Sequence, residues 1–188
     1  PGQDRMVDAI LAGRDALGVM PTGAGKSVCY QVPAVVMEGM ALVVSPLVSL
    51  MADQVRAVQE AGIRGAYLNS TLTPGQQAEV LRRAAGGAYD LMYVAPERLA
   101  DPRFAEFART AQLALVAVEE AHCVSQWGQD FRPSYLSIGQ FIASLPVRPP
   151  VAALTATATD LVRRDIVRLL GLQDLSLIHI SEPTRLRC

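Results

Sequence analysis

Two stretches of this sequence set chemically capable residues at spacings that matter. The first is MPTGAGKS, residues 20–27. It follows the phosphate-loop pattern G-x-x-x-x-G-K-[ST], except that Met20 stands where the first glycine belongs. Gly23 and Gly25 permit backbone conformations that turn successive N–H groups inward and make a nest for phosphate oxygens. A helix opening at this point adds the positive end of its dipole. Lys26 is placed to reach β- and γ-phosphates, and the Ser27 hydroxyl to ligate Mg²⁺. Thr22 and Ala24 complete the loop expected to touch the nucleotide. The bland alternative is a glycine-rich turn with a chance lysine. An apolar run before the loop and a helical pattern after it argue against that.

The second stretch is VAVEEAHCVSQWGQDFRPSY, residues 116–135. A short apolar run ends in two adjacent carboxylates, Glu119 and Glu120. A site that hydrolyses a nucleotide needs one carboxylate to hold Mg²⁺ through its water shell, and a group that positions the attacking water. Neighbours on a strand point to opposite faces, but at a frayed strand end both can turn towards the nucleotide. Glu119 is assigned to the metal and Glu120 to the water. The alternative, a solvated acidic strand end, loses weight because a phosphate loop lies upstream. Just beyond the acids come the only tryptophan of the chain, Trp127, and then Phe131, among polar and turn-forming residues.

These residues need a scaffold, and the apolar patterning supplies one. Short continuous apolar runs at 16–20, 41–45, 65–68, 90–95, 113–119 and 151–156 read as strands buried on both faces. Helical patterns fill 3–12, 25–37, 48–61, 74–85, 101–110, 134–143 and 159–170. Thr73-Pro74 and Asp101-Pro102 read as helix starts, and Gly62 and Gly171 as stops. PVRPP at 146–150 is a stiff connector. Alternating strand and helix predicts an α/β domain, a mostly parallel sheet with helices on both faces. In such sheets function gathers at the carboxyl ends of the strands.

The 188 residues suit one domain, with about half of them apolar. No apolar run reaches the ~18 residues that a membrane span needs. Cys29, Cys123 and Cys188 form no C-x-x-C pair, which argues against a disulfide framework or zinc site and fits a reduced, cytosolic protein. The net charge of −1 carries no polyanion signal, so nucleic-acid binding would rest on local patches and stacking.

Taken in order, the motifs resemble those of RecQ-family DNA helicases. MPTGAGKSVCYQVPA resembles motif I, VVSPLVSLMADQV (43–55) motif Ia, YVAPERL (93–99) motif Ib, VEEAHCVSQWGQDFRPSY motif II with its aromatic-rich loop, and ALTATAT (153–159) motif III. PGQ (1–3) resembles the end of the adenine-recognising motif 0. The likeness runs from residue 1 to about 174. It implies a P-loop NTPase fold, the first RecA-like domain of an ATP-dependent helicase moving 3′ to 5′ on DNA, with roles in DNA repair and recombination. ATP and Mg²⁺ are the implied cofactors, and single-stranded and partially duplex DNA the implied partners. A monomer is expected, bacterial-type, cytoplasmic and nucleoid-associated, with no membrane.

By the same likeness Gln3 reads adenine, and His122 links the nucleotide site to the DNA-responsive loop. Thr155 and Thr157 couple hydrolysis to movement. Trp127, Gln129, Phe131 and Arg132 contact DNA, since a base can stack on an aromatic face whatever its identity, worth ~1–3 kcal/mol per base. Arg132 can instead pair with a carboxylate inside the loop.

The sequence also departs from the family pattern. Motif II has Glu119 in place of aspartate, and its extra methylene is expected to slow hydrolysis relative to a Glu119→Asp variant, because Mg²⁺ demands near-ideal geometry. Gln129 stands where many members carry histidine and cannot titrate near neutrality. The second RecA-like domain is missing, with the arginine finger it would bring, so this chain alone is expected to bind nucleotide weakly and hydrolyse it slowly. The start PGQDRMVDAI reads as cut from something longer. Residues from about 175, LSLIHISEPTRLRC to the end, read as foreign to the 1–174 domain, a frameshift or read-through, with an ordinary strand and tail as the alternative. Two other functions stay open: a nucleotide- and DNA-binding module without turnover, and another P-loop enzyme such as a small-molecule kinase.

Overall fold

The computed structural model describes residues 2–179. Seven strands form one sheet: β1 (Ala16–Val19), β2 (Met40–Val44), β3 (Gly65–Leu68), β4 (Leu91–Val94), β5 (Leu113–Val118), β6 (Val151–Thr155) and β7 (Ser176–His179). Seven α-helices intervene: α1 (Gln3–Leu11), α2 (Val28–Val36), α3 (Met51–Glu60), α4 (Pro74–Ala85), α5 (Pro102–Thr110), α6 (Leu136–Ser144) and α7 (Asp160–Leu170). The order across the sheet is β3-β4-β2-β5-β6-β1-β7, and every paired neighbour is parallel.

Parallel strands buried on both faces send alternate side chains to opposite sides. Leu42, Val44, Val116 and Val118 point into one core with Phe104, Ile138 and Ile166, from α5, α6 and α7. Ala41, Val43, Leu115 and Ala117 point into the other with Met6, Tyr30 and Val55, from α1, α2 and α3. Gly18 lets α1 sit close on β1, since a Cβ there would lie 2.8 Å from the Met6 sulfur.

The expected helix signals do their work. Thr73 and Gln76 form a reciprocal capping box ahead of Pro74, and Asp101 accepts from the Arg103 N–H. Gly171 ends α7 in the left-handed region. Two expected helix starts are corrected. The helix expected over 25–37 begins at Val28, because Gly25 has a φ of +69° that no α-helical turn allows. The turn after it is held by tight bonds from Val28 N–H to the Gly25 carbonyl and from Cys29 N–H to that of Lys26. Likewise Val48–Leu50 is a 3₁₀ turn ahead of α3.

A seventh strand joins the six expected from the apolar runs, in the tail where an ordinary strand was the alternative expectation. β7 pairs along the whole of β1, Ala16 to Ser176 and Val19 to His179. The rest of the tail, 180–188 with Cys188, lies outside the described residues, as does Pro1. The start of β1 and the approaches to β6 and β7 are pinned by one buried acid, Asp15. It accepts two bonds from Arg148, at 3.1 and 2.6 Å, and one each from the N–H groups of Val151 and Gln173. Among the described residues no helix is long and apolar enough to cross a membrane.

Candidate functional site

Because all strands run the same way, the loops after β1, β5 and β6 share one edge of the sheet, with β6 between the other two. The loop after β1 carries the phosphate-loop residues. Gly23 and Gly25 have φ values of +83° and +69°, a region closed to most side chains. A Cβ on Gly23 would meet open space, and one on Gly25 would come 3.4 Å from the Gln3 amide nitrogen. Gln3, on the first turn of α1, donates to the Ala24 carbonyl at 2.7 Å and so lies against the loop. Lys26 folds across its own loop and donates to the carbonyls of Met20 and Pro21 at 3.2 and 3.3 Å. Thr22 is exposed, and Ser27 half-buried at the head of α2.

From this loop a hydrogen-bonded path crosses the sheet edge to His122, which stands beside Glu120. The Met20 N–H donates to the Thr155 carbonyl at 2.9 Å. The Thr155 hydroxyl donates to the Thr157 carbonyl at 3.0 Å and stands 2.9 Å from His122 Nδ1. With its one proton so placed, Thr155 must accept from the histidine. The network therefore puts a hydrogen on Nδ1. That nitrogen is also 3.4 Å from Glu120 Oε2. Lys26, Met20, Thr155, His122 and Glu120 thus belong to one connected set. Glu120 itself adopts a left-handed backbone, φ 47° and ψ 45°, which is costly for a residue with a Cβ.

Glu119 is held at three points. Its N–H donates to the Val44 carbonyl at 2.9 Å, its carbonyl accepts from the Tyr135 hydroxyl at 2.9 Å, and its Oε1 accepts from the Tyr30 hydroxyl at 2.7 Å. Burial and the nearby carboxylate push the Tyr30 phenol far above its usual range. The sequence reading missed Tyr30, Tyr93 and Tyr135. Their one signal was tyrosine, where phenylalanine would fill the same core, since a buried hydroxyl wants a partner.

The aromatic loop stands directly beside His122. Trp127 is 72% exposed, so it is not packed beneath the loop, while Phe131 and Arg132 are half-buried and Gln129 is exposed. Arg132 pairs within the loop, 2.8 Å from Asp130, and that pairing holds the Asp130 carboxyl below the usual carboxylate range. Gly128 presses on the histidine, where a Cβ would lie 2.6 Å from the His122 carbonyl oxygen. The loop is also tied to α7. Ser125 donates to Asp165 at 2.7 Å and accepts from the Trp127 N–H at 3.2 Å. Burial raises the Cys123 thiol to about 12 and the Cys29 thiol to about 11, so neither is a thiolate at neutral pH. A cavity of about 520 Å³ by Val55, Tyr67 and Val80 lies at the β3 edge and contains none of these groups.

The arrangement can receive a nucleoside triphosphate. An open, left-handed glycine cradle, a lysine satisfied only by its own loop, and hard oxygen donors on Ser27 and Glu119 fit a phosphate chain carrying Mg²⁺. The sequence model for DEAD/DEAH box helicases matches residues 1–164. The chain belongs to that family. Within this DEAD/DEAH box group it is 46% identical to the ATP-dependent DNA helicase RecQ of Haemophilus influenzae over 93% of this chain and 28% of that protein. It is 46% identical to the RecQ helicase of Bacillus subtilis over 95% of this chain and 30% of that one. The chain therefore spans less than a third of these relatives. Among solved structures it resembles the Pyrococcus furiosus Hef helicase domain, with a TM-score of 0.72 and 18% identity over 96% of this chain and 38% of that one. It also resembles the DUF1998 helicase MrfA bound to DNA, with a TM-score of 0.76 and 16% identity over 95% of this chain and 25% of that one. At such identities the likeness is one of fold.

Proposed function

We propose that this DEAD/DEAH box domain is the ATP-binding motor domain of a RecQ-type 3′–5′ DNA helicase, the first of two RecA-like domains in the working protein. The observation that carries the reading is the connected path from Lys26 through Met20, Thr155 and His122 to Glu120, with exposed Trp127 beside it. Bound ATP·Mg²⁺ would supply the phosphoryl group to be hydrolysed and the cation that offsets its charge. The chain's own residues do the rest. The N–H groups around Gly23 and Gly25 bind phosphate oxygens, and Lys26 exchanges its loop carbonyls for them. Ser27 and Glu119 present oxygens to the cation, and Gln3 faces the base. Glu120 orients water, steadied by His122. Thr155 and Thr157 join this group to the segment leading into α7.

DNA enters the reading through the aromatic loop. Trp127 and Phe131 offer stacking faces, and Gln129 and Arg132 offer polar contacts once Arg132 trades Asp130 for a phosphate. Single-stranded DNA moving this loop would shift His122 through Gly128, a short route from strand occupancy to water activation. A DNA substrate places the working protein in the compartment that holds DNA. Loss of Trp127 fluorescence on adding single-stranded DNA, together with ATP hydrolysis stimulated by that DNA in a protein that includes the second domain, tests the reading. Quenching without stimulated hydrolysis would leave a binding module without turnover. The absence of both effects would refute the DNA-motor assignment.

A further inference from the structure

Glu119 occupies the position where motif II ordinarily has aspartate, and the surroundings of its carboxylate fit the longer side chain. Oε1 takes the Tyr30 hydroxyl at 2.7 Å. Tyr30 is fully buried, with its hydroxyl 3.1 Å from that of Tyr93 and the two rings edge-on at 84°. Neither ring can swing away without breaking the core of Met6, Tyr30, Val43 and Leu115. Oε2 has no hydrogen-bond partner among the described residues. The backbone on either side of the side chain is fixed by Val44 and Tyr135. An aspartate on the same backbone would be shorter by one carbon–carbon bond, about 1.5 Å. Its oxygen would then lie roughly 4 Å from the Tyr30 hydroxyl, beyond hydrogen-bond reach.

We propose that Tyr30 is the positioning residue for Glu119: it holds one carboxylate oxygen so that the other faces the cation, and it does so only for glutamate. This inference rests on the nucleotide-binding reading above. It reverses the expectation from motif II alone, that aspartate would serve better here.

The test is equilibrium binding of a fluorescent ADP to the chain, with Mg²⁺ and with EDTA, for the wild type, Y30F, E119D and the double variant. Thermal unfolding reports whether each is folded. In Mg²⁺ each single variant is expected to bind about tenfold or more weakly, the loss that follows from a hydrogen bond to a charged group. In EDTA all four are expected to bind alike, and the double variant should be no weaker in Mg²⁺ than the poorer single one. E119D binding as tightly as wild type in Mg²⁺, or more tightly, would overturn the proposal. So would losses that multiply, or a Y30F loss of equal size in EDTA, which would mark a merely structural role. Should Y30F fail to fold, E119D reads the same hydrogen bond from the other side. A wild-type chain that binds no nucleotide under either condition would sink the functional reading, and this inference with it.

Discussion

Glu120 sits in the left-handed region, φ 47° and ψ 45°, so the proposed water-orienting acid is also a strained residue. Replacing it tests whether stability is given up there for placement. E120A and E120G both delete the carboxylate and its 3.4 Å contact with His122. They differ in whether a Cβ remains in a conformation that disfavours one. The left-handed turn costs a residue with a Cβ about 1–2 kcal/mol. Glycine returns roughly 0.5–1 kcal/mol of that through the greater freedom of its unfolded chain. The net expectation is that E120G is more stable than E120A by about 0.5–1 kcal/mol, or roughly 1–4 °C in Tm for a chain of this size. The sign is the informative part, because in ordinary helix or strand interiors glycine is the less stable of the two. Thermal unfolding monitored by circular dichroism measures it, and hydrolysis should fall to background in both variants. An E120A chain melting at or above E120G would refute the claim of strain. Retained hydrolysis in either would refute the role given to the carboxylate.

Three further expectations concern the scaffold around the site. Asp15→Ala leaves Arg148 and the N–H groups of Val151 and Gln173 without their shared acceptor, so it should cost about 3–5 kcal/mol, read as a Tm drop of roughly 10 °C or more. Gly128→Ala must relieve a 2.6 Å approach to the His122 carbonyl. It should cost about 1–3 kcal/mol and lower DNA-stimulated hydrolysis more than unstimulated hydrolysis, as steady-state rates with and without single-stranded DNA would show. Arg168 first, and Ser125 second, hold Asp165 below its ordinary carboxylate pKa. A depressed folded value contributes stability that is complete above the ordinary value and fades as pH falls through the folded one. The Tm gap between wild type and Asp165→Asn should therefore be full at pH 7 and close below about pH 4, and a gap unchanged by acid would contradict the assignment.

Much of this was legible in the sequence for identifiable reasons. Apolar runs such as ALVVS and LALVAV read as strands covered on both sides because they are short, continuous and rich in valine, and Thr73-Pro74, Asp101-Pro102 and Gly171 mark helix ends through local chemistry that tertiary packing left alone. What local pattern cannot carry is the order of strands, since nothing within β6 says that it lies between β1 and β5. The tight turn at the head of α2 was hidden because the glycines that make the cradle also delay the helix. Tyr30 was read as part of an apolar helix, because a hydroxyl buried against Glu119 looks in sequence like any aromatic core residue. Asp15 and Asp165 were passed over because contacts that fix them, with Arg148 for the first and with Ser125 for the second, join residues far apart along the chain, while Arg168, three residues from Asp165, looks in sequence like an ordinary exposed helix pair.

The contacts around the aromatic loop bear on how a flexible-looking segment could govern chemistry. Ser125 ties the Trp127 N–H to α7 through Asp165, Arg132 N–H donates to the Cys123 carbonyl at 2.9 Å, and Gly128 rests on His122. With its stem fixed at these three places, the loop has little room to move Trp127 without also moving either α7 or the histidine. His122 in turn is bound to Thr155, whose carbonyl holds the first residue of the phosphate loop. A force applied at the indole therefore has two rigid outlets. One leads to Glu120, the proposed water-orienting acid, and the other to the helix that follows β6. Variants that cut only one outlet, Ser125→Ala or Gly128→Ala, should then weaken coupling to DNA in part, and the double variant should weaken it more than either. A single variant that abolished stimulation outright would mean that the two outlets act in series rather than side by side.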